Sequence, residues 1–306
     1  MKKSLKLKLG MSVASLALLA GALSTTTYAW FTTNAEAKTS NIEVNAEATS
    51  DSIYLSLDGT HFSNSVAITA SDVKLTAVSY NTSAYQKYTG NDADAWGAVT
   101  EGKVTSTDGV TGTAAEGAYL SFTIYFKTTA TNASNIVFDS TKTTFTNGAN
   151  KDFTLLANYG TAQAGTTYSD GYLVNATRLA VTSYATGVAG ATASTSSEFG
   201  EGTRAVYNTK DANVLAKDKG GAVERENAAW NYYQAVMGTK TTTLVADGAT
   251  DITDTTVVAK NATAGNVYKA DFAFYVEGWD ADCMDAILDQ AVTMALSFKL
   301  GTGSSD

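Results

Sequence analysis

Proline is absent from the 306 residues, and cysteine and histidine occur once each, as Cys283 and His61. Each shortage removes a class of protein. Without proline there is no polyproline stalk, no collagen-like repeat and no proline-containing wall-sorting motif within these residues. One thiol cannot close a disulfide inside the chain. A Cys/His zinc site needs more ligands than one of each, and a zincin needs two histidines one helical turn apart with a glutamate base. A Ser-His-Asp triad would have to be built on His61 alone. Charge is sparse as well, at 17% of residues where soluble domains typically carry about 25%. Thr, Ser, Ala, Asn and Gly take the vacant share. The most prominent hydrophobic run, Met11 to Leu23, falls short of the roughly 20 residues a helix needs to cross a bilayer.

What charge there is, is unevenly placed. Residues 1–29 hold Lys2, Lys3, Lys6 and Lys8 and no acid, so the remainder has 17 basic against 30 acidic residues, a net charge of -13. An acidic body repels nucleic acid and anionic lipid, and neither is an expected partner. The basic start, the apolar run and then Thr27-Tyr28-Ala29, with small residues at the -3 and -1 positions, read as a secretory signal at residues 1–29. The expected cut after Ala29 makes Trp30 the new first residue and leaves no membrane segment. A retained anchor and a pilin-type leader cut after Gly10 are the alternatives; against the second, no acid stands at the early position such pilins use.

The residues around the cut, TTTYAWFTTNAEAKTSNIEVNA, resemble the signal region of secreted Gram-positive proteins processed by the dedicated signal peptidase SipW, a group that includes the biofilm matrix protein TasA and the camelysins. The shared pattern is a basic start, an apolar run, Thr-aromatic-Ala, an aromatic, and a polar stretch leading into a strand. It covers roughly the first 50 residues. The segment FAFYVEGWDADCMDAI, Phe272 to Ile287, is similar to the final strand and loop of clostridial proteins with the same leader. The resemblance implies export, the signal peptidase as a processing partner, and a cell-surface or matrix location. The metallopeptidase label that accompanies the camelysins meets a chain with one histidine, and no enzyme is expected.

Beyond the signal, strict alternation dominates. Ile42, Val44, Ala46 and Ala48 alternate with polar neighbours; so do Ala118, Leu120, Phe122, Ile124 and Phe126, then Tyr268, Ala270, Phe272, Phe274 and Val276, then Val292, Met294, Leu296, Phe298 and Leu300. A period of two puts one set on a core face and the other toward water, the signature of antiparallel sheets covered on one side. Further strands are expected over Asp72–Tyr80 and Leu173–Tyr184. Asp58-Gly59 predicts a tight hairpin, with Asn147-Gly148, Asp170-Gly171 and Asp247-Gly248 as further turns. Helices are predicted over Glu224–Met237, which Gly238 can end, and over Asp282–Ala291. The expected fold is an all-β antiparallel sandwich of jelly-roll or Greek-key type. It would comprise a segment at 30–40 and one domain at 41–306, with long loop insertions near Tyr85–Gly117 and Ala185–Gly221. A split into two domains near residue 190 is the alternative.

Candidate chemistry is thin. His61 falls on a predicted hairpin. Asp280, Asp282 and Asp285 are the best of three acidic groups that could hold calcium by oxygen ligands; the others are Asp92 with Asp94, and Asp247, Asp251 and Asp254. None fits an EF-hand, and solvated loop carboxylates are the plainer reading. Cys283 is expected as buried packing, or else as one half of an intermolecular disulfide. Asn81, Asn132, Asn175 and Asn261 head glycosylation sequons at a frequency near chance. Tyr119 and Tyr125, on the outer face of one strand, mark a possible contact surface. No cofactor is expected.

Trp30 and Phe31 are the most telling pair. At a new terminus in water they would forgo burial of about 2 kcal/mol each. They serve as cleavage-site residues, fold back onto their own domain, or insert into a neighbouring subunit. Insertion repeated head to tail builds an open filament. The expected role is therefore an exported structural protein of the cell surface or biofilm matrix, assembling into fibres with copies of itself or with a related secreted subunit. A surface adhesin whose loops hold a glycan or host ligand is the alternative.

Overall fold

A computed structural model describes residues 37–46, 52–70, 73–81, 84–88, 96–147, 153–154, 165, 167–168, 172–184, 188–189, 205–207, 217–218, 225–226, 250–278, 280, 283 and 291–301. The first strands are β1 (Ala37–Ala46), β2 (Ile53–Ser56), β3 (Ser65–Thr69), β4 (Lys74–Leu75), β5 (Ala77–Asn81), β6 (Ala84–Tyr88) and β7 (Trp96–Ala98). Next come β8 (Glu101–Ser106), β9 (Thr111–Ala114), β10 (Tyr119–Thr128), β11 (Ser134–Phe138), β12 (Thr144–Asn147), β13 (Phe153–Thr154) and β14 (Thr167–Tyr168). The short helix α1 (Tyr172–Ala176) precedes β15 (Thr177–Tyr184), β16 (Val188–Ala189), β17 (Ala205–Tyr207), β18 (Lys217–Asp218) and β19 (Arg225–Glu226). The chain then forms β20 (Thr250–Asp251), β21 (Val257–Ala262), β22 (Asn266–Glu277) and β23 (Ala291–Leu300).

Apart from the pairs β13–β14 and β18–β19, these strands join one large mixed sheet. Its pairings fall into two halves. One runs β9-β3-β1-β23-β11-β21, with β4 beside the start of β1 and β12 beside the start of β23. The other runs β2-β10-β22-β15-β17-β20, with β8 beside the start of β10. The β8–β9 hairpin belongs to both and links them.

The period-two pattern explains the core. Leu120, Phe122, Ile124 and Phe126 of β10 are buried while Tyr119, Ser121, Thr123 and Tyr125 between them are half-buried. Ile42 and Val44 of β1, and Val292, Met294, Leu296 and Phe298 of β23, are likewise buried. These side chains from both halves meet in one apolar cluster. Phe298 of β23 meets Phe126 of β10 edge-on at 5.0 Å and Phe272 of β22 at 6.0 Å, an arrangement aromatic quadrupoles favour.

Several expectations are corrected. The sheet is mixed rather than antiparallel: β1–β23, β3–β9, β5–β22, β8–β10 and β17–β20 are parallel. Parallel neighbours need a long crossover between them, and the chain between its first and last strands supplies one that local periodicity does not reveal. The stretch Tyr85–Gly117, expected as loop, holds most of β6 and all of β7, β8 and β9. There Gly102 and Gly112 occupy buried strand positions where a side chain would strike Leu120, or Val104 and Leu57, so the buried face shows no apolar residue to read. Leu173–Tyr184 is not all strand. Its first residues form α1, where the Thr177 hydroxyl donates to the Leu173 carbonyl at 2.6 Å. The helix expected from Glu224 does not begin there, because Arg225–Glu226 pair with Lys217–Asp218 and residues of opposite charge stand in register. The rest of that segment, and all of Asp282–Ala291 except Cys283 and Ala291, lie outside the described residues.

Asp58-Gly59 does turn the chain, with Gly59 at φ 75. It sits in a wider loop closed by mutual Leu55–Ser63 backbone bonds of 2.7 and 2.9 Å, which carries the chain from the half containing β2 to the half containing β3. Ser56-Leu57-Asp58-Gly59 has a counterpart in Ser106-Thr107-Asp108-Gly109, where Gly109 has φ 69. In both, the serine hydroxyl bonds the aspartate two residues on, and the aspartate accepts the next N–H groups. Aspartate and serine clamp the turn and glycine supplies the left-handed backbone. The two loops touch through Leu57 N–H donating to the Gly109 carbonyl at 2.7 Å.

Candidate binding groove

The outward residues of β10 form the floor of a groove of about 790 Å³. Tyr119, Ser121, Thr123 and Tyr125 lie along it, and at about 3.4 Å per residue the two tyrosines stand ~20 Å apart along the strand. Asp271 on β22 is in register with Thr123, whose hydroxyl donates to Asp271 Oδ1 at 2.6 Å. Thr182 on β15 donates to the Asp271 carbonyl at 3.2 Å. One wall is β8, where Glu101 and Lys103 pair at 3.5 Å.

The Tyr119 end is roofed by β5, β6 and β7. Tyr85 of β6 packs on Tyr119 at 4.4 Å, Tyr275 at 4.8 Å and Tyr80 at 5.1 Å between ring centroids. With Val78, Ala180, Val206 and Ala273 it makes a second apolar cluster. That roof explains why every residue of β22 from Phe272 to Glu277 is buried, although the alternation predicts one wet face. Burial raises the Tyr119 phenol above its ordinary value, helped by Glu101. Burial, then Asp271 and Asp58, does the same for Tyr125. Both phenols therefore remain protonated hydrogen-bond donors well into the alkaline range.

At the roofed end lies a fully buried ion pair. Arg178 Nη2 donates to Asp280 Oδ2 at 2.6 Å, and both side chains are 0% exposed. Arg178 Nη1 also donates to the Asn175 and Thr177 carbonyls. Beside it Glu277 accepts from Ser79, and the buried Cys283 donates its N–H to the Asp280 carbonyl at 2.9 Å. Asp280, proposed from the sequence as a calcium ligand, thus faces a guanidinium. Asp282 and Asp285 lie outside the described residues, as do Thr27, Ala29, Trp30 and Phe31. Among the described residues no three His, Cys, Asp or Glu side chains gather as a metal site, and no helix is long and apolar enough to cross a membrane.

His61 is exposed, its Nδ1 2.7 Å from Asp58 Oδ2. Ser56 donates to the same carboxylate at 2.9 Å. The serine thus bonds the acid and not the imidazole, so the trio is a turn clamp without a nucleophile–base contact. Desolvation opposes ionisation of Asp58, but bonds from the His61 ring, from the His61 and Thr60 N–H groups and from Ser56 outweigh it and hold the acid well below the usual carboxylate range. A second carboxylate cluster ties distant turns. Asp254 accepts from the Ser140 hydroxyl at 2.6 Å and from Lys299 at 3.1 Å, and Lys299 also stands 3.6 Å from the buried Asp139. Ser140, then Lys299, lowers Asp254 to about 2.

Sequence reading found Tyr119 and Tyr125 through their outward phase. It missed Asp271, Thr182 and the β8 wall, which only long-range pairing brings alongside. No protein-family model, no curated protein and no solved structure matches the chain.

Proposed function

We propose that this chain is an exported structural protein of the cell surface or extracellular matrix, assembling by exchange of its N-terminal strand. The observation that carries the reading is the seat of β1. It lies between β3, antiparallel, and the C-terminal β23, parallel, with Ile42 and Val44 fully buried. Withdrawing β1 would open two strand edges and an apolar slot at once. A slot that fits one copy's β1 fits another's with the same contacts, the condition for strand exchange. The segment boundary expected at 40/41 falls inside β1, so the exchanged unit is β1 together with the residues before it. Trp30 and Phe31, at the new terminus left by SipW-type processing, would add apolar anchors to that unit. The finer architecture belongs to the same proposal: the two halves, sharing one aromatic core, are read as a Greek-key sandwich of jelly-roll type.

The test is electron microscopy of the secreted, processed protein beside a variant with Trp30→Ser and Phe31→Ser. Filaments from the parent, and a folded β-rich monomer from the variant, support the reading. Equal polymerisation by both removes the aromatics from the joint, and a monomeric parent rejects assembly. The rival adhesin reading draws on the groove, which is independent of polymerisation.

A further inference from the structure

We propose that the groove along the outer face of β10 is a binding site for an uncharged polysaccharide chain. It goes beyond assembly and rests on the groove alone. Three features select the ligand class. First, the floor is a sheet face, whose backbone pairs with β22 from Leu120 to Phe126 on one side and, on the other, with β8 at Tyr119–Ser121 and β2 at Tyr125–Thr128. The edge left between β8 and β2 is three residues, Phe122 to Ile124, too short to seat a peptide as an added strand, so recognition falls to side chains.

Second, the side chains present suit a sugar. Tyr119 and Tyr125 are half-buried at the two ends of the same strand face, offering apolar ring surface with a phenol at the rim. Between them lie Ser121, Thr123 and the Asp271 carboxylate, with Gln86 on the roof. Hydroxyls that both donate and accept, a carboxylate that accepts and an amide that does both match a ligand whose polar groups are mainly hydroxyls. Protonated phenols add donors. The volume is that of an ordinary ligand cleft, and its length along β10 suits several linked rings rather than one.

Third, charge chooses among polysaccharides. Beyond residue 29 the chain carries -13, the floor carries Asp271, and Lys103 at the wall is already paired with Glu101. An anionic polymer would meet net repulsion. A neutral chain meets none.

The decisive experiment is calorimetric titration of the processed full chain with cellohexaose, maltohexaose and the hexamer of N-acetylglucosamine, with galacturonic acid hexamer as the anionic probe. At least one neutral hexamer is expected to bind with a Kd below ~1 mM, and the anionic hexamer more weakly. Tyr119→Ala and Tyr125→Ala should each weaken binding at least ~10-fold. Because Tyr119 also packs on Tyr85 and Tyr125 over Gly59, Ala84→Trp is the control that removes no contact. Ala84 is exposed at the groove, so an indole there fills the space and should abolish binding with the melting temperature unchanged. Binding of none of the neutral hexamers, preference for the anionic one, or undiminished binding by Ala84→Trp would each overturn the proposal.

Discussion

Breaking the Arg178–Asp280 pair tests how the end of β22 is held to the start of β15. Both side chains are fully buried and 2.6 Å apart, and the same guanidinium serves two backbone carbonyls at the α1–β15 junction. Asp280→Ala leaves a buried cation short of its countercharge. Arg178→Met leaves a buried carboxylate and strips the carbonyls of their donor. Either loss costs about 3–5 kcal/mol, most of it the penalty of an uncompensated buried charge. Removing both partners removes that penalty, so the double variant should cost at least ~2 kcal/mol less than the sum of the singles. Urea unfolding followed by far-UV circular dichroism, with unchanged slopes across the four proteins, measures the cycle. Additivity within about 0.5 kcal/mol, or a single variant costing under ~1 kcal/mol, would refute the reasoning and mean that water reaches the pair.

Two further outcomes are expected. Asp58, Asp108, Asp139 and Asp254 all ionise more readily than free carboxylates. Their contribution is therefore complete above the unfolded value near ~4 and lost as pH falls below it, for Asp254 on the way down to about 2. Thermal melts should hold level from pH 7 to 5 and drop below 4, less steeply in Asp254→Asn; equal slopes in both proteins would contradict the assignment. Gly117→Ala puts a methyl group against the backbone of Gly102 and Glu101, and urea unfolding should show a loss of about 1–3 kcal/mol, whereas a neutral result would mean the strand start yields freely.

The strong strands were legible in the sequence because burial follows their phase. Leu120 to Phe126 and Val292 to Phe298 alternate as the physics of a half-covered sheet requires. The thin strands were not. β9 is Thr-Gly-Thr-Ala, and its inward glycine is chosen for close approach to Val104 and Leu57, which leaves no apolar signal. The parallel β1–β23 pairing, and an ion pair between residues 102 positions apart, are decided by topology, which local periodicity cannot encode. The groove was half legible: the phase exposed Tyr119 and Tyr125 and marked the strand carrying Asp271, while the pairing that sets Asp271 beside Thr123 is fixed only by the register of β10 with β22.

Strand exchange is most directly tested by covalent trapping. Glu43 of β1 and Ala295 of β23 are register partners, and neither side chain is buried. Neighbouring strands lie ~4.8 Å apart, within disulfide reach. In a Cys283→Ser background, protein carrying Glu43→Cys is mixed with protein carrying Ala295→Cys, assembled and oxidised. Disulfide-linked dimers containing one chain of each kind are expected, because β1 of one copy then lies beside β23 of the next. Filaments whose mixed chains never cross-link, while a doubly substituted chain closes only on itself, would contradict exchange and place the joint elsewhere.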